Sequence, residues 1–448
     1  MAVRQHDEHG RKIVHILMGG FALSLRFVPW WQAALLAIAA LVFNLAVLPR
    51  VAAQLYRPGE RGRGIRSGIV LYPLSVLLLV LLFPHRLDIA AAAWGILAVG
   101  DGMATVAGRR LGWGAVPWNR EKSFAGTGAL FLFGGMAGSM LAWWCRPNVT
   151  PAPDAWFSIA APFVAALVAA LVETIPVKLD DNVSVPASAA AVLWSLSLIG
   201  EDLVGPALAT AARAMPLAAT VNALVAGLSY RASTVTSAGA IAGACIGTAI
   251  VVTTGWPGWL LLAATFLAAS LSSRLGLARK TLLGIAEERG GRRGAGNAIA
   301  NTGIAAVAAL LSVLTYDRDP ALLAFVTALA AAGSDTVASE IGKALGRRAY
   351  LVPTFREVKP GMPGGVSLEG TVAGVAGACL LAGVAISIGL VPTAALLPIV
   401  GGATIGSFAE SLLGASLEGP GILNNDLLNF INTGVAAAAA IAIARLVA

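Results

Sequence analysis

"VGDGMATVAGRRLG" (residues 99–112) ends a long apolar run with an aspartate, four glycines and two arginines. A carboxylate beside hydrocarbon needs a cation or hydrogen-bond donors to stay there, because burying it alone is costly. The run that leads into it, 88–106, is continuously apolar rather than alternating. It therefore reads as a membrane-spanning helix with a polar end, not as a strand. A second stretch, "AGSDTVASEIGKALGRR" (332–348), repeats the arrangement with similar spacing.

The rest of the chain agrees with a helical membrane protein. Of 448 residues, 57% are hydrophobic and 12% charged, with mean hydropathy +0.79. A soluble domain carries about a quarter charged residues. The expected class is all-α, with about 15 spans near 13–28, 30–48, 68–84, 88–106, 125–145, 156–175, 185–200, 207–229, 236–255, 257–275, 297–315, 320–338, 370–390, 392–413 and 427–447. The net charge of +8 does not point to nucleic acid, because Lys and Arg cluster in short loops between apolar runs. Five such loops (the N-terminus, 57–66, 108–122, 276–294 and 342–359) then fall on one side. Positive loops stay in the cytoplasm, so the N-terminus is expected there, the C-terminus outside, and the protein in the inner membrane. The polar N-terminus does not read as a cleavable signal. Cys145, Cys245 and Cys379 have neither metal nor disulfide spacing. Tryptophans at span ends read as an aromatic belt, and many small residues would permit close packing and oligomers.

The two halves share an order of features. In the first, Gly100-Asp101 ends a span, "AGRRLG" and a basic loop follow, and "KSFAGT" (122–127) opens the next span. In the second, Ser334-Asp335 ends a span, "GKALGRR" and a basic loop follow, and "VSLEGT" (366–371) opens the next. Further on, Glu173 and "KLDDN" (178–182) match Glu410 and "GILNNDLLN" (421–429). This order suggests a tandem duplication, with 1–203 and 230–448 as same-orientation repeats joined by a linker span at 204–229.

Asp101, Glu173 and Asp181 offer three carboxylates and Asn182 a neutral oxygen, a hard donor set suited to Mg²⁺. Arg109, Arg110, Arg120 and Lys122 supply positive charge for phosphate. Gly100, Gly102, Gly108 and Gly112 let backbone amides approach an anion, and the helix opened by "KSFAGT" points its N-terminus at it. Together these are the equipment for positioning a nucleoside triphosphate, and phosphoryl transfer is mostly positioning and charge neutralisation. His15, one turn inside the first span, reads either as a helix-packing histidine or as one that touches the acceptor.

With these residues in view, the first half resembles the polyprenol kinase family of dolichol kinase, phytol kinase and CTP-dependent diacylglycerol kinase. The resemblance covers about 10–200 and rests on "RKIVHILMGG" (11–20), "GDGMATVAGRRLG" with "EKSFAGT", and "VETIPVKLDDNVSVP" (172–186). It implies phosphorylation of an isoprenoid alcohol from CTP. It carries a nucleotide-binding role onto Gly100, Asp101, Gly108, Arg109, Lys122, Ser123 and Gly126. Ala125 stands where relatives often have Glu.

The second half resembles the integral-membrane phytyl-phosphate kinases over about 222–447. The matching pieces are "YRASTVTSAGAIAGACIG" (230–247), "NAIANTGIAA" (297–306), "GSDTVASEIGKALG" (333–346), "PGMPGGVSLEGTVAG" (360–374) and "ILNNDLLNFINT" (422–433). That resemblance implies a second phosphorylation, from isoprenyl phosphate to diphosphate. The expected catalytic and metal-binding residues are then Asp101, Glu173 and Asp181 with His15, and Asp335, Glu410 and Asp426. Ser334, Glu340, Arg347, Lys359, Ser367, Gly370 and Asn425 would hold nucleotide in the second half. Three alternatives stay open: a single active half, a duplicated transporter, and a lipid cytidylyltransferase.

Overall fold

The computed structural model describes residues 8–51, 67–112, 114–282, 284 and 292–447. The basic loop 57–66, residues 283 and 285–291 of the loop 276–294, and Arg4 of the N-terminus lie outside them. The chain divides into two compact units, Met1–Leu198 and Ile199–Ala448. Both are helical, with short strands confined to connections.

The first unit has α1 (Glu8–Met18), extended by a 3₁₀ stretch, then α2 (Trp30–Ala46), α3 (Gly68–Leu82) and α4 (Leu87–Leu111). A short antiparallel hairpin follows, of β1 (Ala115–Val116) and β2 (Asn119–Ser123). After it come α5 (Phe124–Asn148), α6 (Ala155–Glu173) and α7 (Asp181–Ser197). The second unit has α8 (Glu201–Arg231), α9 (Ser237–Arg274), a short α10 (Leu277–Leu282), α11 (Ala295–Leu314) and α12 (Arg318–Leu345). A three-stranded sheet of β3 (Ala349–Leu351), β4 (Arg356–Val358) and β5 (Gly365–Val366) precedes α13 (Leu368–Ser387), α14 (Thr393–Glu418) and α15 (Asn425–Val447).

Among the described residues, ten helices are long and apolar enough to cross a membrane. The count differs from fifteen for local reasons. The first span is an eleven-residue α-helix continued as 3₁₀, and α2, α3 and α7 are 17, 15 and 17 residues long. The spans expected at 236–255 and 257–275 run together as α9. They are separated by a break at Gly255, whose φ of 73° no residue but glycine adopts easily, followed by Pro257. The run expected as a linker, 204–229, lies in α8, which packs along α9 within the second unit.

The two most buried of the ten long helices are α4 and α12. Residues 89–93 of α4 and 325–331 of α12 are almost wholly inaccessible. Helices that are apolar all round belong at the centre of a bundle, and their Ala-rich sequences allow neighbours to approach closely. Each central helix carries one of the aspartates with which the motif began. α4 widens into a π turn over Ile96–Asp101, opposite a π turn at Leu130–Gly134 of α5. There Gly100 and Gly134 meet backbone to backbone: a Cβ on Gly100 would stand 3.1 Å from the Gly134 Cα.

Candidate active sites

The up-and-down course of the first unit delivers the end of α4, the start of α5, the end of α6 and the start of α7 to one place. Oxygens of Asp101, Glu173 and Asp181 all lie within 4.8 Å of one another. Asp101 and Glu173 are buried, and Asp181 is half-buried. Three carboxylates this close repel unless cations intervene. Lys122, the penultimate residue of β2, donates to Glu173 Oε1 at 2.6 Å and Asp181 Oδ2 at 2.9 Å. Lys12 donates to Asp101 Oδ2 at 2.9 Å.

Burial draws protons off the Lys122 ammonium, but the Glu173 and Asp181 charges outweigh it and hold its pKa above the ordinary lysine value. His15 Nε2 sits 3.3 Å from Asp101 Oδ2 and 3.2 Å from the Leu97 carbonyl. Both neighbours are acceptors, so Nε2 is the protonated nitrogen. The ring is held further by an edge contact to Tyr72, centroids 4.7 Å apart, whose hydroxyl accepts from Trp94 Nε1 at 2.8 Å.

A cap geometry beside this cluster aims the start of α5. The Ser123 hydroxyl accepts from the Gly126 amide at 3.1 Å. Gly108 of α4 packs on that hydroxyl, where a Cβ would come to 3.0 Å. The hairpin is tied down by Trp118, whose Nε1 donates to the Thr174 hydroxyl at 3.0 Å. Of the other expected residues, Arg109 and Arg110 lie exposed on the last turn of α4. The Asn182 Nδ2 donates to Asp180, which caps α7.

The second unit builds the same cap. The Ser367 hydroxyl accepts from the Gly370 amide at 3.1 Å. Gly342 packs on that hydroxyl as Gly108 does on Ser123, with a Cβ distance of 2.9 Å. Gly126 faces the Ala104 carbonyl and Gly370 faces the Ala338 carbonyl. Here the cap opens onto a cavity of about 250 Å³ lined by Ser334, Asp335, Lys343, Arg348, Glu410 and Asn425, among others. Ser407 donates to Asp335 Oδ1 at 3.3 Å and Asn432 to Glu410 Oε2 at 2.7 Å. Asp335 and Glu410 thus stand on the wall of one cavity. Among the described residues neither forms a salt bridge, although Lys343 lines the same cavity.

Several expected members of the second site stand elsewhere. Asp426 does not join Asp335 and Glu410. It lies on the first turn of α15 and points at Gly296, at the positive end of α11. Glu340 is buried in ion pairs with Lys280 at 2.5 Å and Lys343 at 3.1 Å rather than facing the cavity. Arg347 and Lys359 are exposed outside the cavity lining, while Arg348 lines it.

Sequence reasoning did not single out Lys12, Lys280 or Trp118 as site residues. Lys12 had a usable signal: it lies three residues before His15, on the same face of α1. Lys280 had none, since its partner is 60 positions away.

The integral membrane protein DUF92 family model matches residues 220–437. An uncharacterized membrane protein of Synechocystis is 36% identical over 44% of this chain and 78% of its own length. The chloroplast protein VTE6 of Arabidopsis thaliana is 37% identical over 42% of this chain and 58% of its own. A probable chloroplast phytol kinase of Triticum aestivum is 30% identical over 39% of this chain and 63% of its own. The chain thus spans less than two thirds of the length of these last two. No solved structure matches it significantly. With a Synechocystis relative matched over most of its length, the chain belongs to the integral membrane protein DUF92 family.

Proposed function

We propose that the chain is a bifunctional kinase of isoprenoid lipids. In this reading the first unit transfers a phosphoryl group from CTP to an alcohol such as phytol or geranylgeraniol. The second unit phosphorylates the resulting monophosphate to the diphosphate. The reading is supported by relatives named as probable phytol kinases. The observation that carries it is the recurrence of one geometry: a carboxylate on a central helix beside a serine-capped helix start, with glycine packed on the serine hydroxyl. That recurrence also supports descent of the units from a duplicated ancestor.

The donor sets fit Mg²⁺. Three carboxylate oxygens converge in the first unit, and Asp335 and Glu410 line one cavity in the second. Asp101, Glu173 and Asp181, or Asp335 and Glu410, would hold the ion, which supplies charge neutralisation to the nucleotide phosphates when bound. The chain's own residues do the rest. Lys122 is the ammonium able to turn from Glu173 and Asp181 towards phosphate. Asp101 orients His15 through the protonated Nε2, so the other ring nitrogen, Nδ1, accepts the proton of the acceptor alcohol as its oxygen bonds to phosphorus and CDP leaves. The second unit has no such histidine at its aspartate because a phosphate acceptor is already an anion. Gly108 and Gly342 keep the helix starts open to a phosphate. The lipid tail stays in the bilayer, and both sites are assigned to the cytoplasmic face, where the basic loops lie.

Radiolabelled CTP supplied to detergent-purified protein with phytol tests the reading. Label passing into a lipid monophosphate and then a diphosphate is the expected result. Label in a CMP-lipid would make the protein a cytidylyltransferase, and no transfer at all would overturn the kinase reading in favour of transport.

A further inference from the structure

The second unit holds a second cavity, of about 390 Å³, between α8, α9, α11 and α12, which no part of the proposed chemistry uses. Its lining is mostly apolar, with Val225, Ile246, Leu262 and Phe266 facing in. Asn222, the polar group at depth, is already satisfied: its Oδ1 accepts from Trp259 Nε1 at 2.9 Å and its Nδ2 donates to the Ala218 carbonyl. The interior therefore asks for hydrocarbon. An engineered protein cavity of about 150 Å³ holds one six-carbon benzene ring. By that measure this one takes about fifteen carbons, most of a diterpenoid chain.

One end differs. Arg293 and Asn297 line it. The backbone of Arg293 is zipped to the strand-like entry of α9, through Arg293 N–H to the Thr234 carbonyl at 3.1 Å and Thr236 N–H to the Arg293 carbonyl at 3.0 Å. This places the starts of α9 and α11 side by side, both favouring an anion. The Arg293 guanidinium stands 5.8 Å from the centre of the Phe266 ring, so the charge lies at the edge of the apolar lining. The Asn297 side chain makes no hydrogen bond among the described residues. Among the described residues, Asp426 points at Gly296, on another face of α11 from Asn297. The cavity is also distinct from the Asp335 site. Ala332 and Thr336 of α12 line this one, and Ser334 and Asp335 line the other.

We propose that this cavity binds an isoprenyl monophosphate, its chain among α8, α9 and α11 and its phosphate at Arg293 and Asn297. The identity of the ligand rests on the kinase reading; the shape and polarity of the site do not. Gly243 supplies a probe of the wall, because a Cβ there would meet nothing within 4 Å. A side chain at this position branches from the cavity wall into open space and narrows the cavity.

The test uses the full chain in phospholipid nanodiscs with a C20 isoprenyl phosphate carrying a diazirine on its chain. Photolabel is expected on peptides of α8, α9 and α11. Excess geranylgeranyl phosphate should displace it, and geranylgeraniol or phosphatidylglycerol should do so at least tenfold less well. Gly243→Phe should cut labelling at least tenfold while eluting as wild type in size exclusion. Arg293→Gln should erase the preference for phosphate over alcohol. Label elsewhere, equal displacement by phosphatidylglycerol, or wild-type labelling of a well-folded Gly243→Phe would each overturn the assignment. Turnover of the same probe to a diphosphate is read separately. A labelled cavity without turnover removes the kinase reading and leaves the site, and turnover without cavity labelling does the reverse.

Discussion

Asp101 Oδ2 is held by Lys12 and touches His15, so one carboxylate couples a cation and a proton carrier beside two other carboxylates. Asp101→Asn keeps the shape and removes the charge. It should lower formation of lipid monophosphate at least 100-fold while supplied isoprenyl phosphate is still converted to diphosphate, read by thin-layer separation of labelled lipids. If both steps vanish in a folded protein, the two sites are not independent. Lys122 gives a stability counterpart. Lys122→Met leaves the buried Glu173 and the half-buried Asp181 without their cation, a loss of about 3 kcal/mol, the low end for a broken buried pair, measurable as a lowered Tm in detergent. Its sign with pH follows from the raised pKa. The ammonium's contribution is complete below the ordinary lysine pKa of about 10.4 and fades only as pH rises through the higher folded value. The Tm gap between wild type and variant should therefore stay constant from about pH 7 to about pH 9.

At the scale of elements, the end of α12 is fixed by a clamp. α10 lays Arg279 onto the Ala344 and Gly346 carbonyls, at 2.7 and 3.0 Å, satisfying acceptors that a helix end leaves open. It also buries Lys280 against Glu340. Glu340→Gln should cost about 3–5 kcal/mol by stranding the Lys280 charge. A Lys280→Met, Glu340→Leu double variant should recover most of that in the same thermal melt, which a direct role of Glu340 in nucleotide binding would not predict for activity. The serine caps are worth less. Ser367→Ala should cost about 1 kcal/mol of stability, and Gly342→Ala would press a methyl onto the Ser367 hydroxyl and misdirect the start of α13.

For the whole molecule, the expected behaviour is sequential. Monophosphate should appear first in a time course and decline as diphosphate grows, and Asp335→Asn should stop the sequence at the monophosphate. A folded Asp335→Asn that makes neither product would show that the units share one site.

What the sequence determined by itself was set by local chemistry. Continuous apolar runs broken by basic loops can only be membrane helices, because backbone groups must be satisfied within each segment. The convergence of Asp101, Glu173 and Asp181 was legible too, since each ends or begins a run and alternating runs bring those ends together. The serine caps were legible as "KSFAGT" and "VSLEGT". Only the tertiary structure decided which charges pair. Lys12 and Lys280 meet acids 89 and 60 positions away, Asp426 turns to α11, and Glu340 serves a clamp. A side chain's partner depends on the rotation of its helix against neighbours that the sequence places only in order. For the same reason the apolar cavity of the second unit could not be foreseen: its walls are ordinary alanines, leucines and valines, and an unfilled space leaves no mark in a sequence.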